Sequence, residues 1–125
     1  MGSIVIENTL LIPCSRAAVY AFCVDAGARS EVPGQENLVP EFVDLDPERS
    51  WTEKLDGRNE TITCSYVVYP VADSTRMTVS AEYTPKGLGR LLPGAKEGSY
   101  RKQEEARLAA LKKAMERRVR QERKS

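Results

Sequence analysis

The chain has 125 residues, 41% of them hydrophobic and 30% charged, with 19 Lys and Arg against 18 Asp and Glu for a formal charge of +1. That length supports one core and not two, because a domain of this size withdraws roughly two thirds of its unfolded surface from water. The apolar share excludes a disordered chain, and the absence of histidine excludes Ser-His and Cys-His nucleophile pairs and mixed zinc sites.

The charge is unevenly spread: residues 1–60 carry −6 and residues 61–125 carry +7. Acidic loops and a basic helix neutralise each other within one fold, and the same asymmetry can draw an acidic partner or an anionic surface to the basic end. Cys14, Cys23 and Cys64 form no CxxC pair, and a sparse, odd set of thiols fits a reducing compartment. The first strand-like stretch, interrupted by Glu7 and Asn8, is too short and too polar for a signal peptide or a membrane span. The expectation is a cytoplasmic protein with no integral membrane segment, no metal and no cofactor.

Along the chain, Ile4, Ile6, Leu10 and Ile12 follow a period of two and predict a first strand that Pro13 ends. Ser15 can cap a short helix carrying Ala18, Val19, Phe22, Cys23 and Ala26 at helical spacing and ending near Gly27. Residues 27–40, rich in Gly, Pro, Ser, Asn and Glu, predict a loop with at most one turn of helix. Strands are expected from Phe42 to Leu45 and from Ser50 to Leu55, with turns at Asp46-Pro47 and Asp56-Gly57.

Asn59 to Tyr69 is the longest predicted strand, with Ile62, Cys64, Tyr66 and Val68 on one face and Thr61, Thr63, Ser65 and Val67 on the other. After a turn at residues 70–74, Thr75 to Tyr83 repeats the pattern with Met77, Val79, Ala81 and Tyr83 against Arg76, Thr78, Ser80 and Glu82. Such alternation predicts a hairpin in a sheet with one buried face and one wetter face. Leu88, Leu91 and Leu92 make residues 84–98 an apolar connector that packs against the fold. Ser99 is then expected to cap a long helix whose stripe runs through Tyr100, Gln103, Ala106 or Arg107, Leu108, Leu111, Met115 and Val119, with a basic end from Arg117 that frays into solvent. The fold class is α+β: a curved antiparallel sheet of about five strands gripped by the C-terminal helix, all within one domain spanning residues 1–125.

Four stretches carry a family resemblance. Residues 12–22, Ile-Pro-Cys-Ser-Arg-Ala-Ala-Val-Tyr-Ala-Phe, followed by Asp25, resemble the first-strand exit and alanine-rich helix of the START-like helix-grip (SRPBCC) superfamily, in particular its polyketide cyclase/dehydrase and lipid-transport branch. Val43 to Arg49 resembles a mid-domain strand ending in Asp-Pro. Ser74 to Val79 is similar to a strand following a tight turn, and Leu108 to Glu116 to the end of the grip helix. The resemblance covers nearly the whole chain, but the motifs specify a fold and no single activity. Between Asp25 and Glu41 the family usually carries a second small helix and two further strands, and this chain has too few residues there for them. The resemblance therefore implies a domain shortened by about one hairpin, with an open sheet edge through which a homodimer could form.

What the resemblance implies about function is a hydrophobic, polyketide- or lipid-like small molecule held between sheet and helix. By alternation the ligand-binding lining is Ile62, Cys64, Tyr66, Val68, Met77, Val79, Ala81 and Tyr83, faced by Tyr100, Leu108 and Leu111. The polar candidates are Tyr66, Tyr83, Tyr100, Arg101 and Glu104. Of these, Tyr66, Tyr83 and Glu104 are the catalytic candidates if the protein is a cyclase or dehydratase working by Tyr and Glu proton transfer. A third alternative is a cavity-less interaction or dimerisation module in which the same residues close-pack as core. Asp44, Asp46 and Glu48 alternate at a strand end, a pattern that suits solvation better than a cation. Basic residues 107–124 ring the helix with no aromatics to stack on bases, so nucleic acid is not an expected partner.

Overall fold

In the computed structural model, which describes residues 3–86 and 97–124, a long β-hairpin forms the centre of the fold. Strand β4, Glu60–Val71, and strand β5, Ser74–Pro85, pair antiparallel without a break in register, so that Ile62 faces Tyr83, Cys64 faces Ala81, Tyr66 faces Val79 and Val68 faces Met77. All eight of these side chains are buried. The alternation of apolar and hydroxylated residues sets this register, because a slip of one residue would turn every apolar group out to water.

Strand β1, Ile4–Ile12, adds to the outer side of β5, while β3, Ser50–Asp56, and β2, Glu41–Asp46, extend the sheet beyond β4. The curved, five-stranded antiparallel sheet has the order β1-β5-β4-β3-β2, leaving β1 and β2 at its ends. The hairpin is tighter than the expected turn over 70–74: pairing continues to Val71 and Ser74, leaving Ala72 and Asp73 as the two-residue loop, with Ala72 at φ 54°.

Two helices follow β1. Helix α1, Arg16–Cys23, begins where expected: Ser15 is extended and its Oγ accepts from the Ala18 N–H at 3.2 Å. Its end differs from the expectation near Gly27. The helix stops at Cys23, and Asp25 starts a second helix, α2, Ala26–Ser30, by accepting from the N–H groups of Gly27 at 2.9 Å and Ala28 at 3.2 Å. Asp25 thus acts as an N-cap, and the small second helix that seemed too long for this stretch fits into five residues, leaving no room for extra strands.

The last element, α3, runs Glu97–Lys124. It starts two residues before Ser99, which is therefore inside the helix and not its cap, and the backbone stays helical through the basic stretch from Arg117. Tyr100, Glu104, Arg107, Leu108, Leu111 and Met115 are its buried side chains and lie against the inner face of the sheet, whereas Ala106 is exposed and Gln103, at the rim, donates to Glu60 Oε1 on β4 at 3.0 Å. Leu88, Leu91 and Leu92, expected to pack against the fold, lie outside the described residues. Among the described residues no helix is long and apolar enough to cross a membrane.

The Asp25 cap has a measurable consequence. Asp25→Ala removes the acceptor for two otherwise unpaired N–H groups of a helix too short to persist alone, and should lower stability to urea by about 1 kcal/mol. An unchanged unfolding midpoint would show that α2 holds its position without the cap.

Candidate functional site

The inner face of β3 carries an unusual sequence for a buried strand: Trp51, Glu53 and Leu55 alternate inward, and all are at most 1% exposed. A carboxylate between two large apolar side chains must find cations, since an isolated charge is several kcal/mol less stable there than in water. Helix α2 supplies the first. Arg29 binds Glu53 in a two-pronged pair, Nη1 to Oε1 at 2.5 Å and Nη2 to Oε2 at 2.8 Å, and its Nη1 also donates to the Cys23 carbonyl at 3.0 Å.

From Glu53 the polar chain continues across the sheet. The Tyr66 hydroxyl donates to Glu53 Oε2 at 2.9 Å and accepts from Arg107 Nη1 at 2.7 Å. Arg107 forms a second two-pronged pair with Glu104, one turn before it on α3, through Nε to Oε1 at 2.8 Å and Nη2 to Oε2 at 2.6 Å. Tyr83 closes the series by donating to Glu104 Oε1 at 2.7 Å, and Arg107 also reaches the Cys64 sulfur at 3.3 Å. Two arginines and two glutamates, none more than 5% exposed, thus balance in charge within one hydrogen-bonded chain joining α2, β3, β4, β5 and α3.

Aromatic rings flank this chain on both sides. Trp51 stacks on Tyr66 with centroids 4.7 Å apart and planes 10° apart, with Tyr20 edge-on to Trp51 at 5.6 Å. Tyr83 stacks on Tyr100 at 4.7 Å. Among the described residues four buried side-chain polar atoms have no hydrogen-bond partner: Asn8 Nδ2 on β1 and, among these groups, Trp51 Nε1, Arg29 Nε and the Tyr100 hydroxyl.

Protonation follows the environment. Burial pushes the Tyr66 hydroxyl well above the ordinary phenol range against the opposing pull of Arg107, and burial together with Glu104 raises Tyr83 in the same direction. Both are phenols that donate hydrogen bonds at neutral pH. Burial also pushes the Cys23 and Cys64 thiols up to about 12. For Arg107, burial works against the charge, but Tyr66, Cys64 and Glu104 outweigh it and hold the guanidinium protonated.

Every residue expected to line a cavity is found on this interior face: Ile62, Cys64, Tyr66, Val68, Met77, Val79, Ala81 and Tyr83 from the sheet, and Tyr100, Leu108 and Leu111 from α3. Tyr66, Tyr83 and Glu104 are joined through Arg107. Arg101 is exposed and takes no part. Sequence reasoning missed Arg29, Glu53 and Trp51 and left Arg107 as one of two options for the helix stripe. The available signal was the Trp51-x-Glu53-x-Leu55 alternation, which places Glu53 on the core side of β3. Asp44, Asp46 and Glu48 do not alternate: the register of β2 shifts between Val43 and Asp46, and Asp44 and Glu48 take positive φ values.

Two outcomes are expected. Arg107→Met leaves Glu104 buried without a cation and removes the donor to the Tyr66 hydroxyl, and should cost about 3–5 kcal/mol in urea unfolding, whereas the double change Arg107→Met with Glu104→Leu should recover most of it. A single variant as stable as the double one would show that the pair is not desolvated. Stability should also fall at alkaline pH. The folded state holds the Cys23 and Cys64 protons more tightly than the unfolded chain, so their contribution is complete below about pH 9 and is lost between 9 and 12, at about 1.4 kcal/mol per pH unit per thiol. Cys64→Ala should flatten that slope in denaturation measured from about pH 9 to 11, and an unaltered slope would count against it.

No family model and no curated protein sequence matches the chain, but solved structures do. A START superfamily protein from Mycobacterium smegmatis superposes with a TM-score of 0.68 at 14% identity, over 94% of this chain and 97% of its own. A conserved protein from Geobacillus kaustophilus gives 0.70 at 11% identity, over 91% and 96%. DynU16, from the dynemicin biosynthetic locus, gives 0.67 at 12% identity over 90% of this chain, which spans only 47% of DynU16. With the strand order, the two short helices after β1 and the long C-terminal helix across the inner face, these matches show that the chain has the START-like helix-grip fold.

Proposed function

We propose that the protein binds an amphipathic small molecule, with an aromatic or otherwise apolar body and oxygen acceptors, between the inner face of the sheet and α3. The observation that carries this reading is the set of unpaired buried donors. Trp51 Nε1, Arg29 Nε and the Tyr100 hydroxyl are withheld from water beside two stacked aromatic pairs. Buried polar groups are nearly always paired, and those without a protein partner are served by water or a ligand. Nitrogen donors outnumber acceptors among these atoms, so the complementary ligand brings carbonyl, carboxylate or phenolic oxygen. Aromatic walls with a few oriented polar groups are the usual make-up of a small-molecule site.

Binding is favoured over proton-transfer catalysis by the state of the candidate groups. Both Glu104 oxygens are taken by Arg107, one of them also by Tyr83, and the Tyr66 and Tyr83 hydroxyls already donate to carboxylates. A general base needs a lone pair aimed at substrate, and an oxyanion donor needs a free proton.

Trp51 is the only tryptophan in the chain, so its fluorescence reports on this site alone. Titration with anthraquinone-2-carboxylate should quench it saturably, and Tyr100→Phe, which keeps the stacked ring and removes one donor, should weaken binding about fivefold, the loss of roughly 1 kcal/mol of hydrogen bonding. A fluorescence signal that never saturates up to about 1 mM probe, in protein with a native circular dichroism spectrum, would sink the proposal.

A further inference from the structure

The two ends of the sheet are built differently. At one end, β2 is shifted in register between Val43 and Asp46, contains Asp44 at φ 51°, and exposes Glu41, Asp44 and Asp46. A bulge, a left-handed residue and like charges are the features that keep a strand edge from pairing with another chain. At the other end β1 has none of them. Its nine residues are paired with β5 from Ile4 to Ile12 without interruption, and no described strand pairs with its outer edge. Its exposed side carries Val5, Glu7, Thr9 and Leu11, with Val5 51% and Leu11 52% exposed.

That side is self-complementary in one arrangement. We infer that two copies of the chain associate by antiparallel pairing of their β1 strands about a two-fold axis through Asn8, extending the sheet across both. In this register Val5 of each copy stands opposite Leu11 of the other, and Glu7 stands opposite Thr9, so both half-exposed apolar residues gain an apolar cross-strand neighbour and the carboxylate faces a hydroxyl. On the other face Ile6 meets Leu10 and Ile4 meets Ile12. Sliding the axis to residue 7 would set the two Glu7 carboxylates against each other. Sliding it to residue 9 would oppose Glu7 to Leu11 and leave Val5 beyond the strand. A two-fold contact must present the same patch from both sides, and β1 does so in this register only.

The test is mass and register together. Light scattering at micromolar concentration should give twice the chain mass, and Val5→Lys with Leu11→Lys, both at positions already half in water, should raise the dissociation constant at least about tenfold while leaving the thermal midpoint of the subunit fold intact. The double variant Glu7→Cys with Thr9→Cys should form a covalent dimer under mild oxidation, and neither single variant should, because position 7 meets position 9 and not itself. The native thiols are buried and do not interfere. A monomeric mass at all concentrations overturns the inference. So does a dimer that the lysine pair leaves unchanged, or one in which Glu7→Cys alone is linked, since each means another surface or another register. If the lysine variant fails to fold, the cysteine variants decide alone.

Discussion

The interior of this domain depends on charge pairing in a place where water cannot help. Glu53 and Glu104 are fully buried, and each is held by a guanidinium in a two-pronged pair, from Arg29 on α2 and Arg107 on α3 respectively. Such groups add little net stability compared with an apolar core of the same shape, but they are intolerant of misplacement, because any displacement leaves a buried charge without its partner. The network therefore acts mainly on specificity of packing. It fixes the rotation of α3 about its own axis, since only the stripe containing Glu104 and Arg107 can meet Tyr83 and Tyr66, and through Arg29 it ties the five-residue helix α2, started by the Asp25 cap, to β3.

This division of labour explains why the helix can be so polar. Of the 28 residues in α3, few are apolar and buried, chiefly Tyr100, Leu108, Leu111 and Met115. Their burial contributes roughly 1.5–3 kcal/mol for each large aliphatic side chain, enough to hold the helix on the sheet but not to choose among neighbouring registers. Arg107 and Glu104 make that choice, while Leu111 and Met115 supply the adhesion, with the Cys23 sulfur touching that of Met115 at 3.8 Å.

What could be read from the sequence follows from which interactions are local. The β4–β5 hairpin is written in a period of two over more than twenty residues, and its register, its buried face and the whole apolar lining follow from that pattern. The first helix announces itself through Ser15. Apart from the Glu104–Arg107 pair one turn apart on α3, the charged network is not written this way: its bonds join residue 29 to 53, 53 to 66, 66 to 107 and 83 to 104, none of them between sequence neighbours. Arg29 sits in a segment whose glycine and proline content speaks for a loop, and Arg107 looks like one more cation on a basic helix. Glu53 is the exception, since its place between Trp51 and Leu55 on an alternating strand marks it as an inward carboxylate. The start of α3 at Glu97 in place of Ser99 reflects a helix that extends past the first residue able to cap it.

The network also constrains what the interior can accept. A purely hydrocarbon ligand laid against Arg29, Glu53, Arg107 and Glu104 would cover charged groups without replacing any hydrogen bond, an arrangement that loses free energy. In the proposed binding mode a ligand with oxygen acceptors would escape that cost at Trp51 Nε1, Arg29 Nε and Tyr100, which have no partner among the described residues, with its apolar body beside the Trp51–Tyr66 and Tyr83–Tyr100 stacks. Because each arginine would stay paired with its own glutamate, the ligand we propose would enter without breaking an ion pair. Under the proposed reading the paired charges would remain structural, and selectivity would rest on the few donors beside them.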